Sequence, residues 1–366
     1  MSHVIVIGTG IVGASCAYEL IKKGHHVTMI DAEKDGRATS AGAGIIAPWA
    51  NQRRNKDWYL LARLGAKLYQ DLIKELEDDG ETETGYKRIG SLQLYEDEKK
   101  SHKMEQIVLK KREDAPEIGQ VTILSEQETK EAFPYVNDGF HALYIEGAAR
   151  VDGRQLREAL IRASLKRGAQ YIQGEASLLD EKTVQVKGEK RQADRIVLAN
   201  GVWMNDSLKI FNMHTSLYMQ KGQLIHLHCP ELIKKDLPMV NIPSDPYIVP
   251  FDHGRIVVGA TREDKVTMDT RHHIGAIYEL LQKTFTFAQG LDISELREVR
   301  TGFRPFTPSF IPTFGRLAQA PSIYYANGLG SSGLTTGPFI GSVLAKLISD
   351  EETIDPSPYN IEQYQI

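Results

Sequence analysis

The sequence predicts an α/β fold in which a parallel-sheet domain is interleaved with a mostly antiparallel one. The chain opens on a strand, a glycine turn, a helix and a second strand, which make one βαβ unit. That texture returns after residue 145 and again after residue 306. Between these stretches lie short strand-like runs and hairpins.

In chain order, residues 4–7 are a β-branched run and GTGIVG is the turn. ASCAYELIKKG has apolar residues at helical spacing closed by Gly24, and HHVTMID is the second strand. DWYLLARLGAKLYQDLIKELEDDG is a long amphipathic helix with an acidic, glycine-marked stop. From Tyr86 the pattern changes to pieces such as GSLQLYE, with a charged helix over 98–113. VDGRQLREALIRASLKRGAQYIQG reads as helix then strand, and ADRIVLANGVW as a buried parallel strand. From KGQLIHLHC to REVRTGF hairpins return, and the tail regains glycine turns and the helix GPFIGSVLAKLISD. The parallel-sheet domain is expected over 1–85, 145–218 and 306–366, and the antiparallel one over 86–144 and 219–305.

Composition narrows the classes of function. A chain of 366 residues with 41% hydrophobic content can bury a sizeable core. Lysine plus arginine number 44 against 48 acidic residues, a net charge of −4, and KKREDAP is the nearest thing to a basic block. This argues against nucleic acid or an anionic membrane as partner. Cys16 and Cys229 are the only cysteines, without CxxC spacing, which fits a reducing compartment. With no signal-like or spanning run visible, the expected location is the cytoplasm. Association into a homo-oligomer is left open.

GTGIVG supplies Gly8, Gly10 and Gly13, and Asp31 stands eighteen residues beyond Gly13 at the end of the second strand. In a dinucleotide site the first glycine permits the tight turn and the second lets the backbone approach a pyrophosphate at the helix N-terminus. The third permits close helix–strand packing, and the acid accepts from ribose hydroxyls. A carboxylate there disfavours a 2′-phosphate and hence NADP; FAD and NAD both remain. In RATSAGAGIIAP, residues 37–48, Thr39 and Ser40 precede a run of small residues before Ile45. Such a run lets amides and hydroxyls lie flat against a large ligand. The bland alternative is a flexible loop with a helix cap at Ser40.

VIVIGTGIVGASCAYEL, ATSAGAG, IVLANGVW, YIVPFDHGRIVVGAT, GFRPFTP and NGLGSSGLTTGP occur in that order over nearly the whole chain. By these motifs the chain resembles the D-amino acid oxidase superfamily of flavoproteins, and within it bacterial glycine oxidase. The resemblance implies non-covalent FAD in a glutathione-reductase-type FAD-binding domain, interleaved with a mostly antiparallel-sheet substrate domain that covers the flavin. It places Gly8, Gly10, Gly13 and Asp31 at the ADP half, and Thr39, Ser40, Gly42 and Gly44 along the pyrophosphate and flavin. It adds Ala199, Gly201 and Trp203 near the cofactor and Gly328, Gly330 and Gly333 at the flavin pyrimidine edge. The implied cofactor set also includes Ile11, Val12, Ala32, Ala43, Ile45, Ala176, Arg304, Ser331, Ser332, Leu334 and Thr335.

GFRPFTP, residues 302–308, fixes a permanent cation between two phenylalanines and two prolines. A buried arginine needs an anion. The resemblance puts Arg304 where the family pairs an arginine with the substrate carboxylate, a role suited to a planar bidentate donor. The alternative is a cation stacked on Phe303 or Phe306. Gly254 suits the left-handed position of a three-residue hairpin loop, which sets Tyr247 opposite Gly259 with open space beside its ring. The resemblance places Tyr247 over the flavin as the second catalytic residue, a further donor to the carboxylate or a wall of the pocket; a lone tyrosine would otherwise be read as core. Two positions depart from the glycine oxidase pattern: Arg262 after GAT and Ser331 in the C-terminal loop, both expected in the substrate pocket. They move positive charge from one wall to another, so substrate size or polarity should differ from glycine. In QLIHLHC, alternation separates His226 and His228 from Cys229, which favours a solvated strand face over a metal site; no metal is expected.

The resemblance implies oxidative deamination of a small amino acid, such as glycine, sarcosine or a D-amino acid. Hydride would pass to flavin, giving an imine and then a 2-oxo acid, with oxygen or another acceptor taking the electrons. The rivals are a D-amino acid dehydrogenase or N-methyl amino acid oxidase of the same superfamily, a NAD-dependent dehydrogenase sharing only the βαβ fingerprint, and a non-catalytic flavin subunit.

Overall fold

The computed structural model describes residues 1–51, 53, 55–233, 236–242, 246–264 and 266–366. A six-stranded sheet runs in the order Thr313–Arg316, Ile323–Asn327, Arg195–Leu198, His3–Ile7, His26–Asp31, Gln170–Gln173. Its neighbours are parallel except for the edge hairpin formed by Thr313–Arg316 and Ile323–Asn327. Alternation along the first strand explains why it is central. Val4 and Val6 pack with the helices Ile11–Lys22 and Gly333–Ile348, while Ile5 and Ile7 pack with a three-stranded meander that includes Thr183–Val186. A strand buried on both faces reads as a continuous apolar run. From it the chain steps first to His26–Asp31 on one side and later to Arg195–Leu198 on the other. The order reverses there, and a crevice opens at the carboxyl ends of the strands.

The second sheet has eight strands in the order Glu295–Phe306, Tyr218–His228, Arg255–Gly259, Tyr247–Pro250, Met239–Asn241, Ser91–Tyr95, His141–Ile145, Val121–Leu124. It is antiparallel except where Met239–Asn241 meets Ser91–Tyr95. Ile225, Ile248 and Val258 pack with Leu280 and Phe287 on one face, whereas Leu224, Val249 and Val257 pack with Ala43 of the small-residue loop on the other. The second face therefore looks toward the parallel sheet. The two bodies are also joined by backbone: Phe303 N–H donates to Gly36 O at 2.9 Å.

The hairpin Tyr247–Pro250/Arg255–Gly259 turns over Asp252–Gly254, with His253 and Gly254 both left-handed, and Tyr247 pairs with Gly259 in register. The Tyr247 ring takes the place a side chain on Gly259 would occupy: a Cβ there would lie 3.1 Å from the Tyr247 hydroxyl. The solvated face expected for His226 is not observed. His226 is 3% exposed and neither ring nitrogen has a hydrogen-bond partner. Alternation does separate it from the apolar Ile225 and Leu227, but its face is capped by charged groups, Arg300, Glu298, Arg255 and Asp152, rather than by water. Among the described residues no helix is long and apolar enough to cross a membrane, and no cluster of three His, Cys, Asp or Glu could hold a metal.

Candidate active site

One cavity of about 1070 Å³ joins the carboxyl edge of the six-stranded sheet to a face of the eight-stranded sheet. Pockets for ordinary small ligands span roughly 300–1,000 Å³. This one suits a dinucleotide with a small molecule beside it better than an amino acid alone.

At the parallel-sheet end, Gly8 sits at φ +87°, and a Cβ there would come within 2.6 Å of Ala199 O. Only glycine meets both demands. The turn delivers Gly10, Ile11 and Val12 to the cavity wall at the start of the first helix. Helix N-terminal amides there face an anion-binding position. The Thr39 hydroxyl accepts from Ile11 N–H at 3.0 Å, which folds the small-residue loop over the helix start. Asp31 accepts from the Thr9 amide at 2.6 Å and the Thr9 hydroxyl at 2.9 Å. Arg157, 7% exposed, donates from Nε to Thr9 O at 2.7 Å and from Nη2 to Thr9 Oγ1 at 2.9 Å. This brace escaped sequence reading because a mid-helix arginine carries no local signal.

Ala32, Gly42, Ala43, Gly44, Ile45, Ala176, Ala199, Gly201 and Trp203 also line the cavity. At Gly201 a Cβ would meet nothing within 4 Å, so the chain leaves open space there. Gly330, Ser331, Ser332, Gly333, Leu334 and Thr335 form a further wall, and Trp58 Nε1 donates to Ser332 Oγ at 3.1 Å. Three expected residues do not line the cavity. A Cβ on Gly13 would lie 1.9 Å from Gly8 O, so its part is helix–turn packing. Ser40 offers its carbonyl to Arg300 Nη1, and Gly328 holds a left-handed turn with its N–H on Asn327 Oδ1. Each supports the wall from behind, a distinction that spacing alone does not make.

At the other end Arg304, Tyr247, Arg262 and Gln220 share the cavity. Arg304 Nη1 donates to Gln220 Oε1 at 2.9 Å and to Thr261 O at 3.1 Å, both neutral acceptors. Its guanidinium lies where a side chain on Gly222 would be: a Cβ there would fall 2.5 Å from Nη2. A glycine inside a strand is the sequence sign of such close approach, and Gly222 was open to that reading. Phe306 stacks on Tyr218 instead of on the arginine. Burial pushes the Arg304 pKa down, with Arg262 adding to the effect, yet guanidinium stays charged. Burial pushes the Tyr247 phenol up while Arg304 and Arg262 pull it down, which leaves a protonated hydroxyl as donor at neutral pH.

The cradle fits FAD: amides at a helix start, an open glycine at Gly201, and no cysteine or histidine among the described lining residues. Similarity to known proteins bears on the same point. The chain is 47% identical over 366 residues to the uncharacterized oxidoreductase YurR of Bacillus subtilis, covering 98% of each. It is 25% identical to glycine oxidase of Bacillus subtilis, over 95% of this chain and 93% of that one. The crystal structure of iminodiacetate oxidase from Chelativorans sp. BNC1 superposes with a TM-score of 0.94 at 39% identity, covering 98% of both chains. The profile described as FAD dependent oxidoreductase matches residues 3–347; the chain belongs to that family, and its cofactor is FAD.

Proposed function

We propose that the protein oxidises the CH–NH bond of a small amine-bearing carboxylic acid, with Arg304 holding the carboxylate and Tyr247 as a second donor to it. The observation that carries the reading is the Arg304 guanidinium itself. It is set into the slot left by Gly222, bonded only to neutral acceptors, and turned into the cavity that also receives the first helix. A desolvated cation of this kind gains most from an anion it can chelate. FAD would lie along Gly8, Gly10, Asp31, Thr39, Gly42, Gly44, Ala199 and Gly201, held without a covalent bond, and would act as the two-electron acceptor. The protein's part is alignment. Arg304 and Tyr247 fix the substrate, its Cα hydrogen leaves as hydride, and water then hydrolyses the imine to a 2-oxo acid. The likeness to glycine oxidase and to iminodiacetate oxidase supports primary and secondary amines alike as donors. Oxygen is the proposed acceptor.

The test is a panel of glycine, sarcosine and D- and L-amino acids, followed by flavin bleaching without oxygen and by peroxide with it. Arg304→Leu should keep its FAD and lose about 2 to 5 kcal/mol of transition-state binding in kcat/KM, with Arg304→Lys recovering only part. A near-normal rate in Arg304→Leu would remove the carboxylate role. Bleaching without peroxide would make the enzyme a dehydrogenase.

A further inference from the structure

The substrate end of the cavity holds more positive charge than one carboxylate requires. Besides Arg304, Arg262 and Arg53 line the same cavity, and Arg53 is electrostatically coupled to Arg262. Arg262 follows Thr261, whose carbonyl accepts from Arg304, so the two arginines are joined through one short stretch of backbone. Arg53 stacks on Trp58 with its guanidinium carbon 4.8 Å from the ring centroid, and Trp58 is tied to the C-terminal loop through Ser332. Among the described residues none of the three arginine side chains has a carboxylate within ion-pair distance, and the acids that line the cavity are engaged elsewhere. Asp31 is held by Thr9, and Glu175 pairs with Lys34, Asp206 with Lys209 and Glu279 with Lys283.

Resting on the proposed amino acid chemistry, we propose that Arg262 and Arg53 form a second anion subsite and that the substrate is an amine carrying two carboxylates. Three like charges around one small site repel, and a monocarboxylate such as glycine neutralises one of them. A second carboxylate offsets one of the two that remain and lies between both, which compensates the desolvation of two otherwise exposed cations. The mutual effect is visible: Arg262 depresses the pKa of both Arg304 and Arg53, in each case after burial. Arg262 and Ser331 both line the cavity, and of the two only Arg262 brings charge to it.

In the reaction the carbon between the amine and the Arg304-bound carboxylate loses a hydride, and nitrogen loses a proton as its lone pair forms the C=N bond. The two electrons pass to FAD and then to oxygen, giving peroxide. Water adds to the imine and expels the amine. If the second carboxylate is attached through nitrogen, as in iminodiacetate, the products are glyoxylate and glycine. If it is on the side chain, as in D-aspartate, they are a 2-oxo diacid and ammonia.

Diglycolate, an ether with two carboxylates and no oxidisable amine, and methoxyacetate, with one, separate binding from turnover. Titrated into the FAD-loaded protein and read by the flavin spectrum, diglycolate should bind at least tenfold more tightly than methoxyacetate. Arg262→Met and Arg53→Met should each lower diglycolate affinity at least fivefold and leave methoxyacetate within twofold, with FAD content and melting temperature unchanged. In turnover, iminodiacetate or D-aspartate should exceed sarcosine and glycine at least tenfold in kcat/KM, and whichever does so identifies how the second carboxylate is attached. Equal affinity for the two ethers, or variants that leave the ratio unchanged, overturns the subsite. If monocarboxylates are oxidised as well as diacids, only the subsite falls; if neither class bleaches the flavin, the amino acid chemistry falls with it.

Discussion

Arg304 and His226 lie on strands paired side by side and meet burial in opposite ways. The guanidinium cannot shed its charge, so the sheet makes room for it with Gly222 and gives it two carbonyl acceptors. The imidazole can, and burial together with Arg300 pushes His226 down to about 3 from the ordinary 6.5, against a weaker pull from Glu298. Between those values the unfolded chain binds a proton that the native protein refuses. This residue therefore leaves stability unaffected well above pH 6.5, and its cost grows as the pH falls through 6.5 toward 3. Between pH 7.5 and 5.5 this one proton costs about 1.4 kcal/mol. Denaturant midpoints at the two pH values should show that extra loss relative to His226→Leu; equal losses would mean that the imidazole takes up its proton in the folded state.

At the scale of elements, the glycine turn and the small-residue loop act as one unit because Thr39 closes on Ile11, while Phe303 ties the same loop to the strand that carries Arg304. Cofactor and substrate anchors are thus set by neighbouring backbone. Gly10 has φ −63°, a value open to any residue, so its replacement leaves the turn unstrained, and a Cβ there comes 3.2 Å from Thr39 Oγ1 at the cavity wall. Gly10→Val should fold, with circular dichroism like the parent, and purify without yellow colour, because the side chain enters the space at the helix start. A yellow Gly10→Val protein would place the pyrophosphate elsewhere.

For the whole molecule, each sheet is assembled from separate chain segments, and the FAD cavity lies between them. A ligand that binds only the folded form stabilises it by mass action, about 2.7 kcal/mol at a hundredfold excess over Kd. Stripped of FAD, the protein should melt several degrees lower and recover on adding FAD, and denaturation of the loaded protein should release the flavin into the supernatant. Identical melting with and without FAD would mean that the cofactor does not bridge the two sheets, and flavin retained on the denatured chain would mean a covalent bond.

Much of this was legible in the sequence because it is local. Gly8, Gly10 and Asp31 declare a strand–turn–helix–strand unit over residues 3–31, and the register of Tyr247 on Gly259 follows from counting across one hairpin. Motif order carried the family. What the linear pattern does not contain is which face of a strand meets water and which distant side chains converge. His226 alternates like a surface residue but lies under Arg300 and Asp152, which come from separate segments. Ser40 and Gly328 have the right spacing for the site but do not line its wall. Arg157 reaches Thr9, and Arg53 lines one cavity with Arg262 and Arg304, across separations of 148 residues and more than 200, where sequence periodicity has no purchase. Only the packing of the two interleaved sheets brings those charges together, since long-range proximity is decided by which apolar faces bury one another and not by the order of residues along the chain.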